Sequence, residues 1–221
     1  MTATEGDETA GEATGETTGD NSLGRLLALS DGVFAIAMTL LALDLRLPDL
    51  GDAASAEDVA AAVGEVVPHA LTFLLSFYIV AAYWRAHHRI MRSVTRTHWR
   101  VTRETLGLLC LVAALPFPSS LLAEHAGAPI SLAVYGAVNV VASGILLLLW
   151  HDVRVFGLAA GPADAAAQQR ATIEMWGNLV VFALVIPAGY LFGAWGALVL
   201  VLLAVSGRLG TIVERVRAGW R

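Results

Sequence analysis

The residues of this sequence that could do chemistry begin with a serine and an aspartate inside a long apolar segment. Ser30 and Asp31 stand among the leucines, alanines and isoleucines of residues 23–47. An ionised carboxylate about two turns inside such a segment is costly in a membrane unless it is paired. Arg25 is about 240° away around a helix of 3.6 residues per turn, which disfavours a direct pair with Asp31. We therefore expect each of the two to reach another helix.

Candidate partners for Ser30 and Asp31 stand at the end of the second apolar segment, which finishes on the same side of the membrane. They are Ser76, Trp84, His87 and His88. Their indole and imidazole N–H groups could donate to the carboxylate or the hydroxyl. The alternative is that the histidines are interfacial and that the tryptophan belongs to an aromatic belt. A metal site is less favoured, because adjacent helix positions point about 100° apart and no cysteine or carboxylate stands beside the histidines.

A second set of residues could act by shape rather than by charge. Ile36, Leu40 and Leu43 recur at i, i+4 and i+7 on one face of the first apolar segment, and Thr39 borders that face. By periodicity alone such a face is more often helix packing than a functional surface. The functional alternative is the lining of a pore.

The elements that must position these residues are those of a membrane protein. Of the 221 residues, 57% are hydrophobic and 15% are charged, unlike a soluble domain of this size. At about 20 residues per spanning helix, six spans use roughly 120 residues and leave no room for a soluble catalytic domain. All 14 basic residues are scattered arginines, which gives no footprint for nucleic acid, and the single cysteine excludes a disulfide within the chain.

The hydropathy pattern predicts an all-α membrane protein with six transmembrane helices. Residues 1–22 hold six acidic residues and no basic one, so we predict a disordered acidic cytoplasmic tail that is not a signal peptide. The six-helix transmembrane domain is predicted over 23–215, followed by a short cytoplasmic end at 216–221. Only 192–196 can supply a turn between the last two helices, which leaves five helices as an alternative. The predicted helices cover 23–47, 67–86, 105–122, 130–150, 173–190 and 191–205.

Arginines mark the cytoplasmic side of these helices. Six of them stand between helices two and three, whereas residues 48–66 carry only acidic charges. The positive-inside rule therefore predicts a multi-pass protein of the cell membrane with both termini in the cytoplasm, which favours an even number of spans. The arginines from Arg85 to Arg103 recur at three- and four-residue steps, as in a voltage sensor, but the residues between them are too polar for a span. We interpret them as cytoplasmic ends of helices that touch lipid headgroups.

Three blocks of the sequence resemble the transmembrane protein 175 family of potassium channels, in its single-repeat bacterial form. The stretch that begins at Arg25 and contains Ser30 and Asp31 is similar to the R-x-x-x-F-S-D signature of that family's first helix. Residues 84–88 resemble the W-x-x-H-H ending of its second helix, and residues 115–118 resemble its L-P-F-P element late in helix three.

The resemblance implies a homotetramer in the lipid bilayer, with the first helices around a central pore that passes potassium ions. In the family, the isoleucine five residues after the aspartate forms a hydrophobic constriction in place of a carbonyl filter, and a narrow apolar neck can gate by excluding water. The implied constriction and pore lining are Ile36, Thr39, Leu40 and Leu43. The implied structural network, which braces helix one without touching the ion, is Arg25, Ser30, Asp31, Trp84, His87 and His88.

Two positions depart from the family's pattern. Leu29 stands where the family has phenylalanine before its serine and aspartate. Family members place an asparagine early in helix three, whereas this chain has Arg103, Glu104 and Thr105 there. We therefore expect a rewired brace at Glu104 or Thr105.

Other functions compete with a potassium-selective channel that can also leak protons. A secondary transporter predicts broken helices and a charged midplane site, and no repeat relates the two halves of this chain. We expect no enzymatic activity, no cofactor and no metal other than permeant potassium, because neither G-x-S-x-G nor H-E-x-x-H occurs. A non-transporting structural membrane protein shares the same composition, and only the first-helix motif argues against it.

Overall fold

The part of the chain that the structure describes is helical apart from short connections. In this computed structural model the described residues are 8–50, 55–96, 98–125, 127–159, 168–169 and 171–193. The helices are α1 (Glu8–Leu41), continued by a 3-10 turn (Ala42–Asp44), α2 (Ala56–Met91), α3 (Trp99–Ala114), α4 (Pro116–Glu124), α5 (Pro129–Val155) and α6 (Ala171–Gly193).

Five of the described segments are long and apolar enough to cross a membrane. They are α1 from Ser22 onward, α2, α3 together with α4, α5 and α6. The prediction of an all-helical membrane protein is therefore confirmed at the level of five candidate spans. The sixth predicted helix, 191–205, lies outside the described residues except at its start, which belongs to α6. Gly193 there has a φ of +63°, a left-handed conformation that is common where helices end.

The third span is interrupted in its C-terminal half. Leu115 lies between α3 and α4, and Pro116 and Pro118 follow it directly. Proline has no backbone N–H and crowds the preceding turn, so a continuous helix cannot pass through these positions unchanged. The L-P-F-P element therefore marks a break between two helices inside one span.

The second helix is longer than its apolar core. The hydropathy pattern predicts it over 67–86, whereas the structure extends it over Ala56–Met91. Ser55 begins it with a capping box: the Ser55 hydroxyl accepts from the Asp58 N–H, and the Asp58 carboxylate accepts from the Ser55 N–H. Hydropathy misses such polar end turns because a backbone cap needs no apolar residue.

The first helix also begins earlier than its apolar segment. The structure begins α1 at Glu8, ahead of the apolar residues that start at Leu23. Extending a helix that already exists adds one backbone hydrogen bond for each residue fixed, without the cost of a new nucleus. The apolar part of α1 can therefore support helical turns that precede it.

One face of α1 packs into the interior of the subunit. Leu26, Phe34, Ala37 and Leu41 are buried and recur at helical spacing, with Ser30 between the first two. This helix contacts α2 and α3, and α3 in turn packs along α5. Because water is absent from the membrane interior, such contacts are held mainly by close van der Waals packing.

A row of buried hydrogen bonds, here called the polar seam, joins α2, α4 and α5. At one level the Ser119 hydroxyl donates to Ser76 at 2.8 Å, and Ser76 lies 3.0 Å from the Tyr135 hydroxyl. About one turn further along α5, Asn139 Oδ1 accepts a hydrogen bond from the Tyr83 hydroxyl at 3.0 Å. Side-chain hydrogen bonds between helices hold a membrane bundle together where hydrophobic driving force is weak. The seam therefore ties these three helices into one unit.

Candidate functional site

The exposed face of α1 carries the residues that the sequence suggests as a pore lining. Ile36 is 60% exposed, and Leu40 and Leu43 are also exposed, as is Thr39 beside them. At about 100° per residue, this face lies opposite the buried face that contains Phe34. The first helix thus has one face buried in its own subunit and a second, mostly apolar face that no described part of the subunit covers.

The Thr39 hydroxyl is oriented by its own helix. Its Oγ1 donates to the Ile36 carbonyl oxygen at 2.8 Å. A threonine hydroxyl has one proton and two lone pairs, so this bond uses the donor and leaves the lone pairs of the oxygen free. The Thr39 oxygen can therefore accept from or face another group on the exposed side of α1.

The carboxylate of Asp31 is held by the second helix. Trp84 Nε1 donates to Asp31 Oδ1 at 2.8 Å, and the His88 ring stacks on the Trp84 indole at 5.4 Å between centroids. Asp31, Trp84 and His88, which the sequence predicts to belong to one network, lie together in the structure. The bond joins α1 to α2 at an exposed position of α1.

The other imidazole of the pair points into the interior. His87 is buried, its Nε2 lies 3.3 Å from the Thr105 hydroxyl of α3, and its ring contacts Phe34 of α1. Thr105 is one of the two positions at which we expect a rewired brace. His87 therefore links three helices by one hydrogen bond and one ring contact.

Two members of the predicted network lie apart from these contacts. The Ser30 hydroxyl is buried but donates to the Leu26 carbonyl of its own helix at 2.8 Å. Arg25 is exposed, and its guanidinium has no hydrogen bond or ion pair with the described part of the chain. Neither side chain bonds α1 to another described helix of this subunit.

The hydroxyl of Ser76 also has different partners from those expected. Its predicted partners are Asp31 or Ser30, whereas in the structure it belongs to the polar seam with Ser119 and Tyr135. The sequence does carry a signal for this seam. Polar side chains recur at every fourth position of an otherwise apolar helix, a spacing that puts them on one face. They are Ser131, Tyr135, Asn139 and Ser143.

No group of three histidine, cysteine or carboxylate side chains that could hold a metal ion occurs among the described residues. The Asp31 carboxylate is used for a contact with α2. The exposed face of α1 itself offers apolar side chains and the oxygen of Thr39.

These features define a multi-pass helical membrane protein whose first helix keeps one mostly apolar face that the described helices do not cover. Residues 25–116 match the family model described as "Endosomal/lysosomal potassium channel TMEM175". A potassium channel of Streptomyces collinus is 34% identical over 159 residues, which cover 70% of this chain and 76% of the relative. A potassium channel of Chamaesiphon minutus is 36% identical over 145 residues, which cover 64% of this chain and 71% of the relative.

A solved structure supports the same assignment. The crystal structure of a lysosomal potassium-selective channel TMEM175 homolog from Chamaesiphon minutus aligns with a TM-score of 0.68 and 29% sequence identity. The alignment covers 86% of this chain and 97% of that one. The chain therefore belongs to the TMEM175 family, as the resemblance of its three sequence blocks indicated.

Proposed function

We propose that this chain is one subunit of a potassium channel of the cell membrane, in which four copies of α1 surround a central pore. Its relatives in Streptomyces and Chamaesiphon are described as potassium channels. The observation that carries the proposal is the opposition of the two faces of α1. One face is buried against α2 and α3, and the other presents Ile36, Leu40 and Leu43 outside the subunit.

The middle of the exposed face suits packing around an axis better than contact with lipid. Gly32 and Thr39 lie between the larger exposed side chains, and a Cβ built on Gly32 meets no atom within 4 Å. Small residues let membrane helices approach closely. Small residues such as glycine and threonine are typical of surfaces where membrane helices pack together.

In the proposed tetramer, Ile36 forms the constriction. Four isoleucine side chains around a narrow axis exclude water, so an ion passes only when the neck widens or the ion sheds part of its hydration. Thr39 lies about 4.5 Å further along the helix axis, and Leu40 and Leu43 continue the lining. The free lone pairs of the Thr39 oxygen can replace part of the lost hydration of a potassium ion.

The contacts of α1 with its own subunit set the position of that neck. Asp31 bonded to Trp84 fixes the rotation of the helix, and His87 with Thr105 supports its buried face. We propose that the network predicted from the sequence acts on conduction in this way, through the position of α1 and not by contact with the ion. Its members are Arg25, Ser30, Asp31, Trp84, His87 and His88.

The proposed topology has six spans with both termini in the cytoplasm. Arginines gather where α2 ends and α3 begins, and acidic residues gather between α1 and α2. This asymmetry agrees with the positive-inside rule. The transmembrane domain is proposed to cover 23–215, between an acidic cytoplasmic segment at 1–22 and a short cytoplasmic end at 216–221. Such a channel uses no cofactor and is not an enzyme.

Ion flux into liposomes that contain the purified protein tests the proposal. The comparison is between wild type, Ile36→Asn and Leu71→Asn, each with potassium and with sodium. Leu71 is a matched control, because it lies near the middle of α2 and is 61% exposed, against 60% for Ile36. An asparagine that wets the neck needs to lower the barrier by only about 1.4 kcal/mol to raise the flux roughly tenfold.

We expect wild type to carry potassium faster than sodium, Ile36→Asn to raise both fluxes and reduce the preference, and Leu71→Asn to behave as wild type. If wild type and Ile36→Asn are both folded and inserted and neither passes either ion, the channel proposal is wrong. If both asparagine variants raise the flux equally, the channel remains but the constriction is not at Ile36.

A further inference from the structure

Two carboxyl groups lie side by side in the interior, where the cytoplasmic ends of α3 and α5 meet. Glu104 and Asp152 are each only 7% exposed. The Asp152 carboxylate lies against the turn of α3 that carries Glu104, since Arg100, one turn before Glu104, contacts it at 3.5 Å. One oxygen of the pair, Glu104 Oε2, is buried and accepts no hydrogen bond from the described part of the chain.

Two arginines of α3 approach this pair from the surface. Arg103 Nη2 lies 3.6 Å from Glu104 Oε1, and Arg100 Nη1 lies 3.5 Å from Asp152 Oδ2. Both guanidinium groups are largely open to solvent, and Arg100 also lies over the Phe156 ring. Each arginine thus contacts one oxygen of one carboxyl group, and neither reaches Glu104 Oε2.

Within the described residues, α1 and α2 add no free charge beside this pair. His87 of α2 lies 3.3 Å from the hydroxyl of Thr105, the residue that follows Glu104. The Asp31 carboxylate of α1 accepts a hydrogen bond from Trp84. The described cations that contact the two carboxyl groups are Arg100 and Arg103.

We infer that Glu104 and Asp152 form a binding site for one proton, which they share between α3 and α5. Two adjacent buried carboxylates repel each other, and a single proton removes one of the charges. The same proton supplies the hydrogen bond that Glu104 Oε2 lacks, and a buried polar atom without a partner is costly. The inference goes beyond ion conduction, since it concerns what holds two helices of one subunit together.

A proton fits this site better than a metal cation does. Calcium takes six to eight oxygen ligands, whereas the site offers two carboxyl groups already contacted by two arginines. The described residues hold no group of three metal-ligating side chains. A proton needs only the two facing oxygens.

Infrared spectroscopy of the purified full-length protein over a pH series tests the inference. Wild type should show the carbonyl band of a protonated carboxylic acid at neutral pH, and the band should disappear in one step as the pH is raised. Glu104→Gln and Asp152→Asn should each abolish the band, because one carboxyl group alone has no partner with which to share a proton. Glu124→Gln, at an exposed position in the same span, should leave it unchanged.

Absence of the band from folded wild type at neutral pH overturns the inference, as does a band that survives in both variants. Carboxylate bands that shift on addition of potassium or calcium, without an acid band, would instead assign a cation to the site and also overturn it. The wild-type pH series is informative even if a variant fails to fold. None of these readouts involves flux, so the proposed channel function can fail independently.

Discussion

Loss of the Ser76 hydroxyl should lower the free energy of unfolding, and the hydrogen bonds of the polar seam determine by how much. Ser76 is fully buried, and its Oγ is bonded to both Ser119 and Tyr135. Ser76→Ala removes both bonds and leaves two buried hydroxyls without this partner. Side-chain hydrogen bonds between membrane helices average about 0.6 kcal/mol and reach about 1.7 kcal/mol, so two of them predict a loss of about 1–3 kcal/mol.

The matched control is Ser131→Ala. Ser131 is also a fully buried serine of the bundle, but its hydroxyl has no hydrogen-bond partner among the described residues. Removing a buried polar atom that has no partner should leave stability unchanged or raise it slightly. The two variants delete the same atom type at the same burial, so their difference reports the hydrogen bonds alone.

Thermal unfolding of the purified protein in one detergent measures this difference. For a chain of this size about 1 kcal/mol corresponds to roughly 2–4 °C in Tm, so Ser76→Ala should unfold several degrees below wild type and Ser131→Ala close to it. A double variant with Ser119→Ala should lose less than the sum of the single losses, because the two serines share one bond. Equal Tm values for the two single variants would refute the reasoning that the seam, and not burial alone, stabilises the subunit.

Two further pairs of variants test contacts between helices by the same thermal assay. Tyr83→Phe should lower Tm, because the Tyr83 hydroxyl donates a hydrogen bond to Asn139. Tyr78→Phe should leave Tm unchanged, because the buried Tyr78 hydroxyl has no hydrogen-bond partner among the described residues. Equal shifts of Tm in the two variants would contradict this. Gly136→Ala should lower Tm by separating α5 from α6, because a Cβ there would lie 2.9 Å from an Ile186 side-chain carbon, whereas Gly144→Ala has no atom nearer than 4.0 Å. A Gly136→Ala protein as stable as Gly144→Ala would show that α6 adjusts freely.

Much of the plan of this protein could be predicted from its sequence because a membrane imposes few alternatives. Long apolar segments can satisfy their backbone groups in a membrane only as helices. The sequence therefore predicts a helix at each of the five observed spans. The bounds were less accurate, since the ends of α1 and α2 are polar turns that hydropathy does not detect.

The two faces of α1 could also be read from the sequence in part. Helical periodicity put Ile36, Leu40 and Leu43 on one face, and the structure leaves all three exposed. Periodicity could not say whether that face was buried or free, because apolar residues serve both purposes in a membrane. The sequence offers Trp84 to Asp31 because the second helix finishes on the same side of the membrane and a carboxylate in an apolar segment needs a partner, and the structure joins the two at 2.8 Å.

The sequence by itself determined the class of protein, the position of most spans and the residues of α1 that stand together. The tertiary structure decided which polar groups meet. Trp84 and Asp31 are 53 residues apart in the chain, and Ser76 and Tyr135 are 59 apart. Such pairs depend on the rotation and offset of whole helices, which the packing of all their side chains sets together. For the same reason only the structure could show that Ser76 bonds to the seam, and that Glu104 meets Asp152 in the interior.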